Sequence, residues 1–153
     1  MSALKDQLRD DLNTALKSRD ALRTSVIRMV LAAITNAEVA GKEARELTDD
    51  DVLTVLSSEA KKRRESATAF DEGNRPELAD KERAEAAILA EYLPEPLSDE
   101  EISALVAGVI EQTGAAGEGM KAMGKVMGAV TAQTKGRADG GAVAAEVRRQ
   151  LGA

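Results

Sequence analysis

Leu4, Leu8, Leu12 and Leu16 recur every fourth residue between Ser2 and Lys17, the spacing of a helix with one apolar face. A second stripe, Leu22, Val26, Met29, Val30, Ala33 and Ala37, predicts a helix from about Asp20 to Ala40, with Gly41 ending it. Thr48 followed by Asp51 is an acidic variant of the capping box and opens a third helix. That helix carries Val52, Leu56, Ala60, Arg63, Ala67 and Phe70 on one side and stops at Gly73. Pro76 suits a first helical position, and the fourth helix follows with Leu78, Ile88, Leu89 and Tyr92.

Leu93-Pro94-Glu95-Pro96 interrupts the pattern, because each proline removes an amide donor and drives the residue before it extended. The sequence therefore predicts two domains, 1–96 and 97–153. Ser98 and Glu101 form a full capping box, and Leu97 is placed to staple onto Ile102, so a fifth helix runs to about Gln112. Residues 114–119 read as a loop. A sixth helix covers about Met120 to Thr134, with Met120, Met123, Val126, Met127 and Val130 available to a core. Asp139 can cap a last helix that buries Val143, Val147 and Leu151. No segment alternates with period two over more than a few residues, so no sheet is expected. The expected fold is all-α: an N-terminal bundle of about four helices plus a small three-helix C-terminal tail domain.

Composition narrows the chemistry. There is no Cys and no His, which removes disulfides, thiol catalysis, sulfur or imidazole metal sites, and the Ser-His-Asp and Cys-His nucleophiles. Phe70 and Tyr92 are the only aromatic side chains, so stacking on bases has almost nothing to use. The longest apolar run, Met29 to Ile34, is too short to span a bilayer, and the N-terminus has no apolar leader core. With no cysteine, these features predict a cytoplasmic protein that uses no membrane. The net charge of -6 is unevenly placed. From Glu118 onward six basic residues face three acidic ones, a surplus of +3, which leaves -9 for residues 1–117.

Three motifs invite chemistry. Gly119-Met-Lys-Ala-Met-Gly-Lys125-Val126 follows the phosphate-loop pattern until its last position, where Val126 replaces the magnesium-ligating hydroxyl; no strand precedes it, so no nucleotide is expected. Gly124 and Gly128, four apart, read instead as a face on which another helix packs closely. Glu59, Glu82, Glu85 and Glu91 lack the histidines of a carboxylate di-metal bundle, so no cofactor or metal is expected, and no catalytic residue is assigned. Lys61-Lys-Arg-Arg64 points in four directions around a helix, and the Arg63 head needs an acid beside it. Gly136-Arg137-Ala-Asp139-Gly140, flanked by Lys125 and Lys135, reads either as a capped turn or as an anion site made of backbone amides and cations.

The tail segments Met123-Gly-Lys-Val-Met-Gly128, Lys135-Gly-Arg-Ala-Asp-Gly140 and Val147-Arg-Arg-Gln-Leu151 resemble the tail signature of the GatB/YqeY family. Leu22-Arg23, Glu59-Ala-Lys-Lys-Arg63 and Glu91-Tyr-Leu-Pro-Glu-Pro96 extend the resemblance over the whole chain. Free-standing members resemble the C-terminal part of the B subunit of the tRNA-dependent amidotransferase, which converts Glu or Asp on tRNA to Gln or Asn with glutamine as nitrogen donor. The resemblance implies a helical bundle with a small tail, and a tRNA-binding appendage. It includes none of the cradle domain that holds the reaction. One departure stands out: the family often has a Pro and a Lys or Arg where this chain has Val130-Thr-Ala-Gln-Thr134.

The functional expectation is a non-catalytic tRNA-binding accessory module. Lys121, Lys125, Lys135 and Arg137 would meet phosphates, with Gly136 and Gly140 allowing close approach. The alternative is a protein-interaction module that docks onto a translation-related protein through the acidic bundle.

Overall fold

The computed structural model describes residues 2–152. Its regular structure is seven α-helices and one short 3-10 turn, with no strand among the described residues. The protein is all-helical, as its stripes predict. It divides into two compact units, one ending at Leu93 and one beginning at Pro94. The division falls ahead of residue 96, because Pro94–Pro96 is tied into the second unit: the Leu97 N–H donates to the Arg137 carbonyl at 2.8 Å, and Arg137 Nε donates to the Glu95 carbonyl at 3.2 Å.

The first unit comprises α1 (Ala3–Lys17), α2 (Ala21–Val39), α3 (Asp49–Glu72) and α4 (Pro76–Ala90). Each start has a local cause. Ser2 and Asp20 accept the Lys5 and Arg23 amides, Thr48 and Asp51 complete the capping box, and Pro76 occupies the first turn of α4. Leu8, Val26, Ile27, Val30, Ile34, Leu47, Val52, Leu56, Ala60, Ile88 and Leu89 form one buried cluster. Each fully buried Leu or Ile contributes about 1.5–3 kcal/mol by leaving water.

The stripes drift from their sequence positions. α1 turns Ala15 inward and leaves Leu16 44% exposed. α2 buries Ile27 and Ile34, while Met29 and Ala33 are only half-buried, and it ends at Val39, before Gly41. A strict i, i+4 reading gains 40° per step on a 3.6-residue helix, so its last members rotate off the face.

Polar ties close the bundle. Lys5 Nζ reaches both Glu38 oxygens at 2.8 and 2.9 Å, and Glu38 also accepts the Leu47 amide at 3.3 Å. The Lys5 hydrogen bond, first among several causes, holds the Glu38 carboxyl below its ordinary value. Ser2 donates to Asp49 at 2.5 Å.

The second unit comprises α5 (Asp99–Thr113), the 3-10 turn Gly119–Ala122, α6 (Met123–Thr134) and α7 (Gly140–Leu151). The Ser98–Glu101 capping box is complete, and Leu97 packs against the cluster that contains Ile102. The core is Ile102, Val106, Val109, Ile110, Ala115, Ala122, Val126, Val130, Val143, Val147 and Leu151. α6 begins at Met123 rather than Met120, since the first turn after the Gly114–Gly119 loop is wound as 3-10. The Thr134–Arg137 turn has the Arg137 amide on the Thr134 carbonyl at 2.8 Å and φ +77° at Gly136, so that position favours glycine.

Candidate nucleic-acid interface

The structure separates residues that the sequence grouped. Lys121, Gly124, Lys125, Gly128, Thr131, Ala132 and Lys135 are all exposed along the 3-10 turn, α6 and its cap. Lys125 and Lys135 are ten positions apart, about 15 Å at the rise of an α-helix. α6 itself contains no acidic residue. Lys121 and Lys135 form no ion pair among the described residues. Lys125 has internal work: its Nζ donates to the Thr113 carbonyl at 3.2 Å, satisfying the end of α5, and lies 3.6 Å from Glu118.

Arg137 does not join this face freely. Its Nε and its carbonyl both hold the Pro94–Leu97 segment, so it acts as a latch on the turn. Gly136 serves the same turn, and its added Cβ would lie 3.9 Å from Pro94 Cδ. Asp139 accepts the Ala142 amide at 3.2 Å and caps α7, leaving Gly140 as an exposed first helical residue. The capped-turn reading of residues 136–140 describes these contacts.

Gly124 and Gly128 were read as a surface for a close helix neighbour. The structure corrects this: a Cβ on either would meet nothing within 4 Å. Their side of α6 faces outward while Val126 and Val130 face the core. Each glycine costs about 1 kcal/mol against alanine in a helix, and no internal packing offsets it.

The front motifs prove to be structural ties. Arg23 Nη1 pairs with Glu91 at 2.9 Å, and the Tyr92 hydroxyl donates to Asp11, joining the end of α4 to α2 and α1. Burial, then the Asp11 hydrogen bond, pushes the Tyr92 hydroxyl well above its ordinary value. Arg63 sits among three carboxylates, each at 3.6 Å: Glu59 on its own helix, and Glu82 and Glu85 on α4. Sequence reasoning gave Arg63 an unspecified acid; the pairing of α3 with α4 supplies three. Glu59, Glu82 and Glu85 are thus engaged with a guanidinium, and Glu91 belongs to a different cluster. Among the described residues no group of three acids is arranged to hold a metal ion. No helix among them is long and apolar enough to cross a membrane.

A family model described as "Yqey-like protein" matches residues 5–151. The chain belongs to the YqeY-like family. It is 31% identical over 151 residues to "Altered inheritance of mitochondria protein 41, mitochondrial" of Pyrenophora tritici-repentis, covering 96% of this chain and 80% of that one. The protein of the same name from Meyerozyma guilliermondii is 35% identical over 91 residues, 60% of this chain. The chain spans about half, 47%, of that relative's length. An uncharacterised protein of Schizosaccharomyces pombe is 34% identical over 97 residues, 63% of this chain and 76% of its own. These names correct the cytoplasmic expectation. The Pyrenophora and Meyerozyma relatives are called mitochondrial, and the absence of cysteine and of an apolar leader core does not discriminate between the two compartments.

Proposed function

We propose that this chain is a non-catalytic RNA-contacting module that holds the phosphate backbone of folded tRNA on the outward side of α6. The observation that carries the reading is the pair of exposed glycines between lysines. Gly124 and Gly128 weaken α6 and serve no neighbour inside the protein, whereas an external backbone could approach the bare helix there. Lys121, Lys125 and Lys135 flank them with positive charge and no acid lies on α6. Phosphate contacts of this kind position a nucleic acid without reading its bases. The scarcity of aromatics supports contact with shape and backbone over stacking on unpaired bases. The resemblance of the tail to the amidotransferase B subunit supports tRNA as the RNA, with amide transfer itself left to another protein.

Lys121→Glu with Lys135→Glu tests the reading, because neither lysine has an ion pair to lose among the described residues. Fluorescence anisotropy with total tRNA, over a salt series starting near 50 mM, should show at least a tenfold loss of affinity for the double variant. Its slope of log K against log salt should be shallower, by about 0.9 for each phosphate contact removed if duplex RNA behaves like DNA. Circular dichroism should be unchanged. Absence of tRNA binding by the wild type near 50 mM salt, or equal binding by the variant, would overturn the proposal.

A further inference from the structure

A groove of about 730 Å³ runs between α5 and α7, and none of Lys121, Lys125 and Lys135 lines it. Asp99, Glu100, Ser103, Ala104 and Ala107 line it from α5, and Glu146, Arg149 and Gln150 from α7. Its floor is low, since Ala104 and Ala107 end at Cβ and the adjoining Gly108 has nothing within 4 Å of an added Cβ. Its far wall is fixed. Gln150 Nε2 donates to the Ser103 carbonyl at 2.8 Å and to Glu146 Oε1 at 2.8 Å.

The charge on this groove is one-sided. Arg149, its single cation, is spent on Glu146 through contacts of 2.9 and 2.5 Å. Asp99 and Glu100 have no side-chain partner among the described residues. Two full negative charges exceed the roughly half unit of positive charge at the start of α5. Glu111 is exposed further along the same side of α5, at i+4 from Ala107 and i+11 from Glu100. The trough is therefore acidic at its Asp99–Glu100 end and small-floored as far as Ala107, with Glu111 one helical turn beyond it.

We propose that this α5–α7 groove docks a lysine- or arginine-bearing helix of a partner protein. The aliphatic stems of the basic residues lie on Ala104, Ala107 and Gly108, and their heads reach Asp99 and Glu100 at one end and Glu111 at the other. Helical residues eleven apart are separated by about 16 Å, so basic residues at that interval on the partner match Glu100 and Glu111. The proposal does not depend on the RNA reading. Together they make the tail two-sided, with phosphate on α6 and a basic protein on α5 and α7.

The test uses the full chain and two synthetic helical peptides of about 18 residues. One is alanine-rich with lysines at i, i+4, i+7 and i+11; the other has glutamates in their place. Nitrogen-15 amide shifts should move at Glu100, Ser103, Ala107, Glu111 and Gln150 with the lysine peptide only. Glu100→Lys with Glu111→Lys should weaken its binding about tenfold, as loss of two surface charge contacts predicts. A control with the same change in net charge, Glu43→Lys with Glu72→Lys in the other unit, should weaken it less than threefold. Shifts spread over the bundle, equal losses in both double variants, or no shifts at millimolar peptide would each overturn the proposal.

Discussion

At the scale of single residues, Arg63 decides more than its place in a basic run suggests. Its side chain is 22% exposed and its guanidinium serves three carboxylates, of which Glu59 and Glu85 are buried. Removing one partner of a buried ion cluster leaves the others charged without compensation, which costs about 3–5 kcal/mol. Arg63→Ala is expected to lose close to the lower figure in urea unfolding, because this cluster still touches solvent. Arg64→Ala, on an exposed neighbour, should stay within about 0.5 kcal/mol. Equal effects would show that the run acts as general surface charge. Glu146 gives a second residue-level prediction. Hydrogen bonds from Arg149, then from Gln150, lower its carboxyl from 4.5 to about 2. A carboxyl lowered on folding stabilises the native state above its unfolded value, and that contribution is lost as pH falls towards the folded value. The stability of the second unit should therefore drop between about pH 4.5 and pH 2, and Glu146→Gln should flatten that part of the profile in thermal melts.

At the scale of elements, α6 shows where stability and use diverge. A Cβ at Gly124 or Gly128 enters open space, so Gly124→Ala and Gly128→Ala should each stabilise the second unit by up to about 1 kcal/mol. The same changes put methyl groups between the lysines and should weaken tRNA binding. A stabilised variant with undiminished tRNA affinity would remove the glycines from the proposed interface. Gly136→Ala should act oppositely and destabilise, because φ there is +77°. The contrast also separates what sequence can and cannot tell. Capping boxes at Thr48 and Ser98 are legible because all their atoms lie within four residues. So is the helical character of every stripe. The packing role assigned to Gly124 and Gly128 failed because spacing says that a face is bare, not what lies opposite it. The Arg63 cluster and the Arg137 latch were hidden for a related reason, since each joins segments far apart in the chain, α3 to α4 and Glu95 to the Gly136 turn.

At the scale of the whole molecule, the two hydrophobic clusters share no residue and each lies within its own unit. The second is built mostly from Val and Ala, whose side chains bury less area than the Leu and Ile that dominate the first. A unit of this size buries a smaller fraction of its surface than a larger domain and is correspondingly marginal. We therefore expect the second unit to unfold first. The distribution of chromophores makes this measurable without a label. There is no Trp, and the one Tyr, Tyr92, is hydrogen-bonded to Asp11 inside the first unit. Intrinsic fluorescence reports that unit alone, while far-ultraviolet circular dichroism reports helices in both. In a urea titration the dichroism should fall in two steps, and the tyrosine signal should follow only the later one. Arg63→Ala should move the later step towards the earlier, and Gly136→Ala should move only the earlier. Coincident single transitions by both probes, shifted together by both variants, would mean that the units unfold as one cooperative body in spite of their separate cores.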